Sequence, residues 1–160
     1  DTGRLRMSLS VCIFKNDKLY ISAAAMPPAY LYSAETQSVD EIEIRNLPLG
    51  GLDNEQFELV EKSFNKGDIL VLLSDGLPEA PDLEGNLLDY QPVMDCIEKV
   101  AHLGAAQVKQ SLIDLADDWL DGSQNPDDIT FVVFEKQKNR DLKAQKELEE
   151  EKNINKVAQA

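Results

Sequence analysis

The first half of the chain alternates apolar and polar residues in a pattern that predicts β-strands. Between Leu5 and Ile13 every second residue is apolar, which is the period of a strand with one buried face. Shorter stretches predict further strands over 19–24, 29–33, 39–44 and 57–63. Turn residues separate these stretches, so we expect neighbouring strands to be mostly antiparallel.

The second half combines one buried strand, two helices and a last strand. The unbroken apolar run Ile69–Leu73 is typical of a central strand covered on both faces. Apolar residues then recur at helical spacing over 93–100 and, beyond Gly104, over 105–119. A β-rich stretch at 129–134 closes the pattern. This order predicts an α+β fold, a layered sandwich of mostly antiparallel β-sheet with flanking helices.

Charge divides the chain into two parts. The 160 residues include 16 Lys and Arg and 30 Asp and Glu, a net charge of −14, which argues against a nucleic-acid or anionic-membrane partner. Residues 1–134 hold 9 basic and 24 acidic residues, whereas 135–160 hold 7 and 6. We therefore predict one folded domain over 1–134 and a charged tail, helical or disordered, over 135–160.

The residue types present restrict the possible chemistry. The chain has one histidine, His102, and two cysteines that lie far apart, so neither a His/Cys zinc site nor a triad with a second histidine is expected. A bound metal would need carboxylate ligands. No apolar run approaches the roughly 20 residues of a membrane span, and the start lacks the plan of a signal peptide. We expect a cytoplasmic protein whose chain makes no membrane contact.

Two acidic sites lie at predicted strand ends. Asp75 follows the run 69–73, beside Gly76, and the pair Asp127 and Asp128 precedes the closing strand. If those two strands are neighbours in the sheet, their acidic ends converge and could hold Mg²⁺ or Mn²⁺. The same residues are also typical of a turn and a solvated loop end, and both interpretations remain open at this stage.

Four segments together resemble a known family. Residues 67–80 (GDILVLLSDGLPEA) and 122–133, with Asp127-Asp128, resemble the catalytic domain of SpoIIE/RsbU-type serine phosphatases, which are metal-dependent type 2C protein phosphatases of bacteria. Residues 22–31 (SAAAMPPAYL) are similar to the family's Asn-Ala-Gly-His-Pro-Pro segment, and 47–50 to its Pro-Leu-Gly loop. The segments occur in the family's order.

The resemblance implies a fold, a reaction and a metal site. The fold is the type 2C phosphatase sandwich, and the reaction is hydrolysis of phosphoserine or phosphothreonine on a regulatory protein in bacterial signalling, for example a phosphorylated anti-sigma-factor antagonist. The cofactor is Mg²⁺ or Mn²⁺. By position, Asp75 and Asp127 are its ligands, and Asp128 lies behind them.

Two departures from the family pattern shape these expectations. Family segments Gly-Gly-Asp and Asp-x-x-Gly-His-Gly, which hold further metal ligands, have no counterpart before Leu5, and Ala25-Met26 stands where relatives have Gly-His. We therefore expect this chain to be the C-terminal part of the domain, incomplete at its N-terminus and inactive alone. The alternative function is a non-catalytic, phosphatase-like interaction module.

An incomplete sandwich has a further consequence. The strand predicted near residues 5–13 should have an unpaired edge and an uncovered apolar face. We therefore expect self-association and a possible homo-oligomer.

Overall fold

The computed structural model describes residues 5–52 and 54–137, which form seven strands and two α-helices. The strands are β1 (Leu9–Lys15), β2 (Lys18–Ala24), β3 (Ala29–Ser33), β4 (Ser38–Ile42), β5 (Val60–Ser63), β6 (Ile69–Leu73) and β7 (Phe131–Glu135). The helices are α1 (Tyr90–Val100) and α2 (Ala105–Leu120), with a short 3₁₀ turn at Ala101–Leu103 between them.

The strands form two sheets in which every paired neighbour is antiparallel. One sheet has the order β1-β2-β5, and the other has the order β4-β3-β6-β7. One core lies between the two sheets, and a second lies between the four-stranded sheet and the helices. The predicted α+β sandwich of antiparallel sheets with flanking helices is confirmed.

β6 lies at the centre of this arrangement. It pairs with β3 on one side and β7 on the other. Ile69, Val71 and Leu73 belong to the core under the helices, whereas Leu70 belongs to the core between the sheets. The prediction that this strand is covered on both faces is therefore correct.

α2 covers the four-stranded sheet with an apolar stripe. Val108, Leu112 and Ala116, spaced four residues apart, are buried in the helix-side core. The helix begins after Gly104, whose φ of 99° ends the preceding turn, as expected for a glycine between two helices. The helix-side core therefore rests on residues that the sequence pattern had identified.

β1 differs from its prediction in position and in burial. The strand spans Leu9–Lys15 instead of 5–13. The face that alternation alone predicts to be buried is exposed, with Leu9 40%, Val11 49% and Ile13 55% exposed, which agrees with the uncovered apolar face expected from the family resemblance. β1 is a terminal strand, and no helix of the described residues packs on that face. A period of two gives a strand two different faces, but it does not specify what covers either one.

A buried carboxylate fixes the start of β6. Asp68 is 3% exposed, and it is the only charged side chain among the described residues that is buried. Its Oδ1 accepts a hydrogen bond from the backbone N–H of Ala34 at 2.9 Å, and its Oδ2 accepts one from that of Asn65 at 2.6 Å. The two bonds join the turn after β3 to the turn before β6 and satisfy the buried charge.

The folded part of the chain continues through Glu135 and Lys136. Gly67 N–H donates to the carbonyl of Lys136 at 2.8 Å, and Lys136 N–H donates to that of Asp68 at 3.0 Å. The strand β7 therefore ends one residue beyond the predicted domain boundary at 134. Residues 138–160 of the predicted tail lie outside the described residues.

The chain leaves β2 through a residue with a positive φ. Ala25 has φ of 47°, a left-handed conformation that costs an L-residue with a Cβ about 1 kcal/mol. Its N–H donates to the carbonyl of Asn46 at 3.1 Å, which holds this conformation in place. The geometry explains why a glycine suits this position in the Gly-His pattern to which Ala25-Met26 was compared.

Replacing Asp68 tests the importance of the buried carboxylate. In Asp68→Ala two partly buried backbone N–H groups lose their acceptor, and we expect the free energy of unfolding to fall by about 3 kcal/mol in urea titrations. Asp95→Ala is the matched control, since Asp95 is exposed and, among the described residues, its side chain accepts a bond only from Gln91. It should cost less than about 0.5 kcal/mol. Equal losses in the two variants would contradict the assignment.

Replacing Ala25 tests the strained turn. Ala25→Gly should stabilise the fold by about 1 kcal/mol, because glycine adopts a positive φ without the clash of a Cβ. Ala24→Gly, one residue earlier in β2, should instead destabilise it by about 1 kcal/mol or more. Thermal unfolding of the two variants measures the difference, and a loss of stability in both would argue against strain at Ala25.

Candidate active site

The segment after β6 lies against the segment before β7. β6 and β7 are neighbours, and their pairing extends beyond the strand ends because Ser74 N–H donates to the carbonyl of Thr130 at 2.8 Å. The hydroxyl of Ser74 donates to the carbonyl of Asp128 at 3.1 Å and accepts from the N–H of Thr130 at 3.1 Å. The two acid-bearing segments therefore converge, as predicted.

Gly76 permits the close approach of these segments. A Cβ built at this position would lie 2.3 Å from the carbonyl oxygen of Asp128, which is far inside van der Waals contact. The side-chain amide of Asn125 also donates to the carbonyl of Gly76 at 2.8 Å. A glycine directly after Asp75 is therefore a packing requirement of the site, and any larger residue would separate the two acidic segments.

A tight turn presents two carboxylates on the surface. Glu79 N–H donates to the carbonyl of Asp75 at 2.9 Å, and both side chains are exposed. Leu77 and Ala80, on the other side of the turn, are buried. Trp119 of α2 fixes the end of the turn by donating its indole N–H to the carbonyl of Ala80 at 2.9 Å. The buried side of the turn therefore fixes its position, and Asp75 and Glu79 lie on its exposed side.

Asp75 and Glu79 line a cleft of about 440 Å³. The cleft is lined by Ala25, Met26, Pro27, Pro28, Glu41, Glu43, Asp75, Glu79 and Tyr90. Four of these residues carry a carboxylate. No Lys or Arg of the described residues is in the lining. It also includes Ala25-Met26-Pro27-Pro28 from the segment after β2, so two of the family-like segments meet in one place.

The charge of the cleft acts on Tyr90. Partial burial raises the pKa of the Tyr90 hydroxyl, and the negative charges of Glu79, Asp75 and Asp89 raise it further. The hydroxyl therefore stays protonated at neutral pH and is available as a hydrogen-bond donor at the cleft wall. Burial is the largest cause of the shift, and the three carboxylates add to it in the same direction.

Asp127 and Asp128 are exposed and do not line this cleft. Asp128 N–H donates to Oδ1 of Asp127 at 2.8 Å, which fixes the direction of the first carboxylate. Among residues 5–52 and 54–137, no three His, Cys, Asp or Glu side chains converge in a way that could hold a metal ion. The structure thus brings the predicted segments together through their backbones, and a cation shared by Asp75 and Asp127 stays a prediction.

The sequence pattern did not single out the other polar residues of the cleft. Glu79 lies within the quoted motif 67–80, so the turn after Asp75 could have identified it. Glu41 and Glu43 lie in and just after β4, and Tyr90 is the first residue of α1. These three residues are distant from Asp75 in sequence, and no local signal predicts their position.

No helix of the described residues is long and apolar enough to cross a membrane.

Comparisons with known proteins place the chain in a family. Residues 5–137 match the family model described as Stage II sporulation protein E (SpoIIE). No curated protein sequence matches the chain.

Three solved structures resemble the chain at low sequence identity. The phosphatase domain of SpoIIE from Bacillus subtilis, presoaked with Mn, has a TM-score of 0.63 at 18% identity, over 82% of this chain and 57% of that chain. The RsbU and RsbW domains of a Mycobacterium tuberculosis protein have a TM-score of 0.64 at 22% identity, over 81% and 36%. The catalytic domain of the Mycobacterium tuberculosis serine/threonine phosphatase PstP, in complex with two manganese ions, has a TM-score of 0.53 at 20% identity, over 79% and 56%.

The chain spans between 36% and 57% of the length of these three structures. The similarity at this identity establishes the fold, and the family model matches most of the sequence. The chain therefore belongs to the SpoIIE family, and its fold is that of the type 2C protein phosphatase domains.

Proposed function

We propose that this chain is part of a Mg²⁺- or Mn²⁺-dependent protein serine/threonine phosphatase of the bacterial cytoplasm. The observation that carries the proposal is the contact of Gly76 with Asp128, which brings the two acidic strand ends of a SpoIIE-family fold together. A structural neighbour, PstP, was solved with two manganese ions. The proposal extends that metal dependence to the present chain.

In this proposal Asp75 and Asp127 each contribute a carboxylate to the cation site, and Asp128 supports them. Carboxylate oxygens are ligands that Mg²⁺ and Mn²⁺ prefer, so the chemistry of the donors fits. Their number does not complete a site, because Mg²⁺ takes about six oxygen ligands. The remaining oxygens would come from water, from substrate phosphate or from polypeptide outside the described residues.

The electrostatics of the cleft support a metal requirement. A phosphate ester approaching Asp75 would meet the carboxylates of Glu41 and Glu79, and no Lys or Arg of the described residues is in the lining of the cleft. The carboxylate of Glu43, the fourth in the lining, is already paired with Arg45. Like charges repel, and Glu79 and Asp75 also add to the rise that burial gives the pKa of Tyr90. Bound divalent cations would supply the missing positive charge and activate a water for attack on phosphorus.

Each of the chain's own residues then has a defined part. Ser74 and Gly76 hold the two acidic segments together through Thr130 and Asp128. Tyr90 presents a protonated hydroxyl at the cleft wall, where it can donate to a phosphoryl oxygen. The substrate would be a regulatory protein carrying phosphoserine or phosphothreonine, such as a phosphorylated anti-sigma-factor antagonist.

One observation favours the alternative of a non-catalytic, phosphatase-like interaction module. Within the two described segments of the chain, no three candidate ligands converge on one point. A module that keeps the fold without the reaction would need no such convergence. The experiment below separates the two functions.

Neutralising the carboxylates tests the metal assignment. In the longest natural polypeptide that contains this chain, we expect Asp75→Asn and Asp127→Asn each to lower Mn²⁺-dependent kcat/KM on a phosphopeptide by at least about 100-fold, the upper end of what losing an outer-shell partner costs. Asp128→Asn should cost about tenfold. Direct Mn²⁺ titration followed by electron paramagnetic resonance should give weaker binding in the same order.

Asp118→Asn is the matched control, because Asp118 is an exposed aspartate on α2 outside the cleft lining. It should leave both turnover and Mn²⁺ affinity unchanged. Turnover that survives in Asp75→Asn would contradict its role as a ligand. A folded parent protein with neither turnover nor Mn²⁺ binding would favour the interaction module.

A further inference from the structure

Asn125 links the two acidic segments through its side chain. It is partly buried in the loop 121–130 between α2 and β7, and its amide donates to the carbonyl of Gly76 at 2.8 Å. Gly76 directly follows Asp75 in the turn. Asn125 lies two residues before Asp127 in the loop. The bond therefore joins the two segments close to the carboxylates that the proposed function assigns to a cation.

A second hydrogen bond joins the same segments on the other side of the two carboxylates. The hydroxyl of Ser74 donates to the carbonyl of Asp128 at 3.1 Å. Ser74 comes directly before Asp75 in the chain. Asp128 comes directly after Asp127. Each of the two proposed ligands therefore has a cross-linking residue on both sides, and on the side before Asp127 that residue is Asn125.

The backbone of the loop provides no equivalent link. Across residues 124–129 no backbone–backbone hydrogen bond occurs within the part of the chain that the structure describes. The backbone pairing of β6 with β7 ends where Ser74 N–H donates to the carbonyl of Thr130. Among the described residues, the amide of Asn125 thus makes the only hydrogen bond between 124–127 and the turn 74–80.

Pro126 transmits the position of Asn125 to Asp127. Its ring fixes its own φ at about −65°, and it restricts the residue before it to extended conformations. The N–H of Asp128 then donates to Oδ1 of Asp127 at 2.8 Å, which orients the carboxylate. Because few free rotations separate the amide of Asn125 from this carboxylate, a shift of the first would move the second.

We propose that Asn125 is a positioning residue that sets the distance between the carboxylates of Asp75 and Asp127. For its consequence in catalysis the inference rests on the proposed function, in which these carboxylates share a cation site. Like charges on the two segments repel each other before a cation binds, and the amide of Asn125 opposes that separation. A productive site tolerates a misplacement of only about 0.5 Å, so one lost bond has a measurable effect.

Removing the amide tests the proposal in the longest natural polypeptide that contains this chain. Asn125→Ala deletes the donor, and Asn125→Gln keeps it on a side chain one methylene longer. Asn86→Ala is the matched control, because the amide of Asn86 donates to Asp82 within one loop and Asn86 is outside the cleft lining. Circular dichroism establishes that each variant is folded. Asn125→Ser, with a shorter side chain, decides if Asn125→Ala does not fold.

The first measurement needs no metal. In crystal structures of the metal-free proteins, Asn125→Ala should lengthen the distance between the carboxyl carbons of Asp75 and Asp127 by at least about 0.5 Å. Asn86→Ala should leave this distance at its wild-type value. Because no cation takes part, this comparison judges the role of Asn125 even if the parent protein has no phosphatase activity.

Mn²⁺ binding and turnover measure the consequence for the site. Electron paramagnetic resonance titration should show the Kd for Mn²⁺ rising by at least about tenfold in Asn125→Ala, the lower end of what losing an outer-shell partner costs. The kcat/KM on a phosphopeptide should fall by a similar factor. Asn125→Gln should recover most of both losses, and Asn86→Ala should cause neither. A general loss of stability would not depend on the amide in this way.

An unchanged distance between the two carboxylates in a folded variant without the amide would overturn the proposal. Wild-type affinity for Mn²⁺ in Asn125→Ala would do the same, as would a loss of affinity that Asn125→Gln does not recover. A wild-type protein that neither binds Mn²⁺ nor hydrolyses the phosphopeptide would contradict the proposed function instead. In that case the distance measured without metal decides on Asn125 alone.

Discussion

β6 contributes side chains to both cores, so neither the helices nor the three-stranded sheet can pack correctly without it. Its start is held by the carboxylate of Asp68, and its end leads after one residue into Asp75. A shift of one residue would turn every side chain of this strand to the opposite face and so move it from one core into the other. The register of a strand buried on both faces is therefore fixed. The position of Asp75 is thus set by the packing of Ile69–Leu73, of which four are buried and Leu72 is partly buried.

Buried and exposed carboxylates have different roles in this protein. Asp68 is buried, and two backbone N–H groups donate hydrogen bonds to its carboxylate, so this side chain stabilises the fold. Asp75 and Glu79 have no such donors among the described residues, and they lie at the surface of a cleft where burial, together with their charges, raises the pKa of Tyr90. Carboxylates left without neutralising partners are suited to bind something positive, which is why the cleft and the proposed cation belong together.

Much of the fold could be predicted from the sequence, because the periodicity of β6 and α2 reflects faces buried within this chain. The approach of the segment after β6 to the segment before β7 followed from the assumption that the two strands are neighbours, which they are. A cation shared by Asp75 and Asp127 stays a prediction. Alternation alone could not predict that the apolar face of β1 is exposed, since an alternating pattern carries no information about what covers the strand. That exposure was expected only from the family resemblance. The position of Tyr90 in the cleft lining could not be predicted either, because only tertiary packing brings this residue to the cleft.

The hydrogen bond between Trp119 and Ala80 gives the protein an internal optical reporter. Trp119 is the only tryptophan in the sequence, and its indole N–H is bonded to the turn that begins at Asp75. Indole emission depends on the polarity and hydrogen bonding around the ring, so a shift of that turn would change the fluorescence of a single chromophore. Rearrangement of the acidic turn on binding of an ion or a partner is thereby visible in the unlabelled protein.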